Sequence, residues 1–188
     1  VKLISLSANQ FVLRRSRLMS FIRRYGDGRL TPQGVAALAE LSPAALTVPG
    51  PLSGAGSRGS APPGTAVIVA LQEGRWIGIA AAIDGGQRAC VVVVHPQARS
   101  EGVGRMLMSA LVEQCGSLIC QVAADNNASA AMCRHAGMQP IASFSKENGQ
   151  EIIRFASPLI AAGSTAATVH TAAGEVRAWR KQSLHSAY

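Results

Sequence analysis

The sequence predicts an α/β protein with a mixed, mostly antiparallel central sheet flanked by helices. Three β-branched or alanine-rich runs follow one another between residues 65 and 95, separated only by short turn signals. The last run stops at Pro96 and passes through a polar loop containing Gly102 and Gly104 into an apolar-periodic segment, the pattern of a strand, a tight loop and a helix. Strand-like and helix-like segments then alternate to residue 156. At 188 residues with 48% apolar content, the chain has material for one sizeable core, so one main domain is expected.

Taken in order, Val1 to Leu6 reads as an opening strand, followed by a helix with an apolar face of Phe11, Leu18, Ile22 and Tyr25, Phe21 lying at its edge. Arg14, Arg15, Arg17, Arg23 and Arg24 flank that stripe and are expected to form a solvated face, a phosphate-contacting surface being the alternative. Thr31 caps a second helix with Pro32 in its first turn. Residues 47–64, TVPGPLSGAGSRGSAPPG, read as a flexible Pro/Gly/Ser loop. Strands follow at Thr65 to Leu71 and Trp76 to Ile83, joined by Glu73-Gly74-Arg75, and Gly85-Gly86 leads to a third at Arg88 to His95. A helix over 102–115, a strand at Leu118 to Ala123, a helix over 127–136 and strands at 138–145 and 150–156 complete the domain, 1–156. Residues 157–188 read as a C-terminal tail, which Trp179 is able to dock.

Composition narrows the partners. A net charge of +8 favours anionic partners and argues against polycationic substrates such as aminoglycosides or polyamines, whose recognition calls for an acidic lining. Aromatic content of 4%, with no stacking aromatics interleaved among the arginines, argues against nucleic acid as a partner. Cys90, Cys115, Cys120 and Cys133 form no Cys-x-x-Cys pair, so buried free thiols are expected rather than a metal site or disulfides. No apolar run approaches the roughly 20 residues that span a bilayer, and the start lacks the zones of a signal peptide, so the chain reads as cytoplasmic with no membrane partner.

The loop after Pro96 carries the chemistry. Backbone amides at a helix start are unpaired, the helix dipole adds positive potential, and glycines let a ligand approach the main chain, so this loop is a candidate phosphate cradle.

Pro96, Arg99, Gly102 and Gly104 match, without a gap, the Arg/Gln-x-x-Gly-x-Gly/Ala signature that follows a strand-ending proline in the GNAT superfamily of acyl-CoA-dependent N-acyltransferases. Asn126, Ser129, Gly137 and Met138 occupy the places of that family's second pattern. The chain thus resembles a GNAT N-acetyltransferase over about residues 1–156. The resemblance implies a sheet whose strands splay around acetyl-CoA as co-substrate. Its pyrophosphate would lie on Arg99, Ser100, Glu101, Gly102, Val103, Gly104 and Arg105. Val93, Val94 and His95 would line the pantetheine slot opposite Gln121 to Ala123, with Asn126 and Ser129 also binding the cofactor. Main-chain amides near Val94 would polarise the thioester carbonyl, and a deprotonated primary amine of a small metabolite or peptide would attack it directly.

Two departures bear on catalysis. Cys133 stands where the family usually carries its proton-donating tyrosine, and is either a short thiol acid or a packing residue, with Ser129 or water as stand-ins. Arg88 to Val94 contain no carboxylate, so His95, Asp84 and Glu73 are the candidate bases. An acyl-CoA-binding sensor without activity is therefore the alternative to an acetyltransferase with an amine-bearing acceptor. Edge strands leave a homodimer open.

Overall fold

The computed structural model describes residues 1–46 and 64–158. Residues 47–63, which hold nearly all of the expected flexible loop, and the expected tail beyond Pro158 with Trp179 lie outside the described residues.

The elements follow the expected order: β1 (Lys2–Ser5), α1 (Ala8–Tyr25), α2 (Pro32–Ala39), β2 (Ala66–Gln72), β3 (Arg75–Ile83), β4 (Ala89–Val94), α3 (Val103–Cys115), β5 (Ile119–Ala123), α4 (Asn127–His135), β6 (Gln139–Ser145) and β7 (Glu151–Ala156). Local chemistry accounts for most boundaries. Ser7 and Gln10 close a reciprocal capping box on α1, Thr31 caps α2 with Pro32 in its first turn, and Asn126 caps α4. Glu73 and Gly74 both take left-handed φ values, 50° and 75°, as a two-residue hairpin turn between β2 and β3 requires.

The strands form two sheets, β1-β2-β3-β4 and β5-β7-β6, and every hydrogen-bonded pair among the described residues is antiparallel. No ladder joins β4 to β5, so among the described residues the expected mixed sheet is two antiparallel sheets.

Period-two alternation sends each central strand to two cores. Val67, Val69, Ile79, Ala81 and Ile83 face α1 and α2, packing with Phe11, Leu18, Ile22 and Leu38. Ala66, Ile68, Ala70, Ala80 and Ala82 face the other way, toward Leu107, Leu111 and Phe155. The alanines leave room for α3 to lie close on the sheet. At the far end, Ser157 donates its N–H to the Leu118 carbonyl at 2.8 Å and accepts the Leu118 N–H on Oγ at 3.1 Å. Ser157 is fully buried, so the packed unit includes it.

Arg14, Arg17, Arg23 and Arg24 are exposed, as expected of a solvated face, while Arg15 is half-buried, and two of these arginines also tie α1 to its neighbours. Arg15 donates to the Ala39 carbonyl and, at 2.8 Å, to that of Leu41, holding the end of α2. The Arg17 guanidinium lies 4.6 Å from the Trp76 ring centroid. Trp76 is far away in sequence, which is why helical periodicity alone misses this role.

Candidate functional site

The site begins where the two sheets join. Ile119 N–H donates to the Gly85 carbonyl at 2.8 Å, and a Cβ on Gly86 would lie 1.9 Å from the Ile119 carbonyl oxygen. β4 and β5 both start beside this junction and run on to Val94 and Ala123 without pairing. The sheets are thus fastened at one end and open at the other.

Hydrogen-bond alternation decides what the open end presents. His95 N–H donates to the Ile77 carbonyl at 2.8 Å, so its neighbour Val94, opposite Gly78, is a non-hydrogen-bonded position whose N–H and C=O point away from β3. That side is the gap facing β5. The Val94 carbonyl is taken by Arg99 Nε at 3.1 Å, which leaves the Val94 N–H as the donor at the gap.

The loop after β4 makes a short 3-10 turn at Pro96–Ala98. His95 accepts the Gln97 N–H on Nδ1 at 3.3 Å, so the neutral ring carries its proton on Nε2 and offers a donor there. Its ring meets the Tyr25 ring edge-on at 4.5 Å. Ser100 and Gly102 then adopt left-handed φ values of 66° and 79°, a conformation that turns successive amides toward one side. Only at Gly102 does the absence of a Cβ remove the strain.

α3 differs from α1, α2 and α4 in having no side-chain cap at its start. Its first intrahelical bond runs from Met106 N–H to the Gly102 carbonyl, so the Val103, Gly104 and Arg105 amides face outward from the first turn. Arg105 is exposed at this turn. A Cβ on Gly104 would lie 3.0 Å from Met132 Sδ and 3.7 Å from Val94 Cγ2, which places this turn at the tip of β4 and against α4. On the opposite face of α3, an open groove of about 460 Å³ runs from Glu101 and Arg105 past Ser109 to Glu113, over Leu3. It starts at the loop but leads away from the gap between the sheets.

Other candidate residues separate. Arg99 does not extend over the loop; its guanidinium turns back to Tyr25 and Asp27. Val93 is buried, Val94 and Ala123 are half-buried and Gln121 is exposed along the gap. Asn126 Oδ1 accepts the Ser129 N–H at 3.1 Å, so this pair starts α4 beside the end of β5. Asp84 lies 3.9 Å from Arg88 Nε at the fastened end, a six-residue strand or about 20 Å from Val94. Glu73 sits at the exposed tip of the β2–β3 turn. Among the described residues no cluster of three or more metal-ligating side chains occurs.

Cys133 is fully buried, and its Sγ lies 3.4 Å from Cys120 Sγ. The bond to Cys120 and then burial push the Cys133 thiol well above the usual range. The same bond works to lower Cys120, but its proximity to Cys90 and its burial outweigh that, so Cys120 is also pushed up. All four cysteines are free. Sequence reasoning overlooked Tyr25 as a neighbour of His95 and Asp27 as a partner of Arg99, because about seventy residues separate each pair and no local pattern joins them.

Residues 63–137 match the family described as an acetyltransferase (GNAT) domain. No curated protein matches the chain. Among solved structures, a GNAT-family acetyltransferase from Streptococcus pneumoniae is 14% identical with a TM-score of 0.55, covering 83% of this chain and 98% of that one. AAC(6')-Ib, solved with parmomycin and acetyl-CoA, is 14% identical with a TM-score of 0.53, covering 89% of this chain and 98% of its own. For yncA from Salmonella typhimurium, solved with acetyl-CoA, identity is 22% and the TM-score 0.43, over 49% of this chain and 63% of that chain. The likenesses above 0.5 share the fold: helices on both sides of antiparallel sheets.

Proposed function

We propose that this chain, which carries a GNAT acetyltransferase domain over residues 63–137, transfers an acetyl group from acetyl-CoA to a primary amine of a small metabolite or peptide. The observation that carries the reading is the uncapped first turn of α3 standing beside two strands that part, with the Val94 N–H directed into the gap.

The residues present fit acetyl-CoA. Outward amides at Val103, Gly104 and Arg105, the Arg105 side chain and the dipole of a 13-residue helix suit a pyrophosphate. Val93, Val94 and His95 on one side and Gln121 to Ala123 on the other suit an extended arm between the sheets. Acetyl-CoA supplies an activated thioester. The Val94 N–H would donate to the carbonyl oxygen as negative charge develops there, in a gap where such a donor is fixed beforehand. The amine would attack the thioester carbon, the carbon–nitrogen bond forming as the carbon–sulfur bond breaks, and the proton shed by the amine would pass through water to the leaving thiolate. His95, with its proton on Nε2, stands at the strand tip as a donor rather than a base; Cys133 is a packing residue in this reading. Positioning can supply much of such a rate.

A second reading, an acyl-CoA-binding sensor, is favoured by one observation: the fully buried Cys133 leaves α4 without an acid facing the gap at the place where the family usually has tyrosine. Two measurements test both. Acetyl-CoA is expected to raise the melting temperature by an amount that grows with the logarithm of ligand concentration over Kd; absence of any shift defeats both readings. Thiol release across a panel of neutral, acidic and basic amines is expected to show turnover, and the sensor reading stands if no amine exceeds buffer.

A further inference from the structure

We propose that Arg99 is a positioning residue that sets the acyl-polarising end of β4 and the adjoining corner of α1 together, with Asp27 as the group that orients it. This rests on the acetyl-transfer reading above. One planar guanidinium makes three separate contacts. Nε donates to the Val94 carbonyl at 3.1 Å, Nη2 donates to the Tyr25 carbonyl at 3.2 Å, and Nη1 lies 2.6 Å from the Asp27 carboxylate.

The geometry uses the rigidity of the arginine fork. Val94 is the last residue of β4, and its carbonyl and N–H lie on the same side of the strand, the side away from β3. Holding the carbonyl therefore restrains the peptide units on either side of Val94 and, through them, the direction of its N–H. The Tyr25 carbonyl is near the end of α1, where carbonyls lack intrahelical partners, and taking it fixes Tyr25 with its ring edge-on to His95 at 4.5 Å. Asp27, at a left-handed φ of 53° just past α1, brings its carboxylate to the third nitrogen. A lysine ammonium lacks this planar spread of donors, so it is not equivalent here.

Burial argues for a geometric rather than a stabilising role. The side chains of Arg99 and Asp27 are 41% and 47% exposed, and ion pairs this open contribute little to folding. An arginine free to bind pyrophosphate would not be engaged on three sides by its own chain. The phosphate-facing charge at the loop falls to Arg105 and the α3 amides.

The test compares Arg99→Gln, Arg99→Lys, Asp27→Asn and Asp27→Glu in the full chain. Coenzyme A affinity is followed by thermal shift, and kcat and KM for acetyl-CoA by thiol release with the best amine of the panel. The expected result is coenzyme A affinity within about twofold of wild type in all four, with kcat reduced roughly tenfold or more in Arg99→Gln and Arg99→Lys and less in Asp27→Asn, because small misplacements in an acyl-transfer site are costly. Asp27→Glu is expected to recover part of the loss. The Tyr25–His95 ring cross-peaks in nuclear Overhauser spectra are expected to weaken in Arg99→Gln. Unchanged kcat in Arg99→Gln overturns the proposal. So does a coenzyme A affinity more than about tenfold weaker in Arg99→Gln together with tighter binding in Asp27→Asn, since that pattern makes Arg99 a phosphate ligand. A wild type that binds neither acetyl-CoA nor coenzyme A instead overturns the acetyl-transfer reading, and the cross-peaks then decide the clamp alone.

Discussion

Gly86 and Ile119 touch backbone to backbone at the start of β4 and β5, so closely that a Cβ on Gly86 would lie 1.9 Å from the Ile119 carbonyl oxygen. This contact, with the Ile119 N–H bonded to the Gly85 carbonyl, fastens the two sheets below the gap. Gly86 also has φ of +84°, a region strained for any residue with a side chain. Gly86→Ala is expected to cost about 3 kcal/mol or more, from overlap and backbone strain together. Chemical denaturation checks this; a loss below about 1 kcal/mol would show that the junction yields.

Gly104→Asp separates binding from folding. An aspartate in the first turn of an uncapped helix is favoured by the dipole by about 0.3–1 kcal/mol, while its Cβ presses on Met132 Sδ at 3.0 Å, so stability is expected to change little. The thermal shift with acetyl-CoA is expected to vanish, since the carboxylate stands where pyrophosphate would lie. A retained shift would move the anion site away from this turn.

Cys133→Ala is expected to lower stability by about 1–2 kcal/mol, the cost of a small cavity in the core, while turnover stays within a few-fold of wild type. A severe loss of kcat with acetyl-CoA binding retained would make this thiol the acid after all. Steady-state thiol release decides between them.

The buried thiols also set an alkaline limit. Burial pushes Cys115 up to about 11, so its folded state holds a proton that the unfolded chain gives up from about pH 9. The associated stability is complete below that value and is lost as pH rises toward 11, at up to about 1.4 kcal/mol per pH unit for each such thiol. Unfolding midpoints measured from pH 8 to 11 are expected to fall, and to fall less steeply in Cys115→Ala. Equal slopes would assign the decline to other groups.

The arginines of α1 are expected to divide. Arg15→Ala frees carbonyls at the end of α2, and Arg17→Ala removes the cation over Trp76; each is expected to cost about 1 kcal/mol. Arg14→Ala is expected to lie within about 0.5 kcal/mol of wild type, and acetyl-CoA binding to be unchanged in all three. Weaker binding in any of them would bring α1 into the anion site.

Sequence by itself was enough for the order of elements and for the glycine-bearing loop between β4 and α3, because both rest on local physics. Alternation in Ala66–Gln72 and Arg75–Ile83, the caps Ser7, Thr31 and Asn126, and the glycines after Pro96 act within a few residues of chain. Only the tertiary structure decided which polar groups meet across that frame. The Arg99–Asp27 pair, the Tyr25–His95 contact, the Arg17–Trp76 stack and the Cys120–Cys133 pair depend on how α1 and α4 seat on the sheets. Apart from the two cysteines, thirteen residues apart in chain, each of these pairs lies tens of residues apart. Periodicity says which face of an element is buried, but side-chain partners are chosen by distance in space. For that reason Arg99 reads as a phosphate ligand in the linear pattern and stands in the folded chain as a tie between β4 and α1.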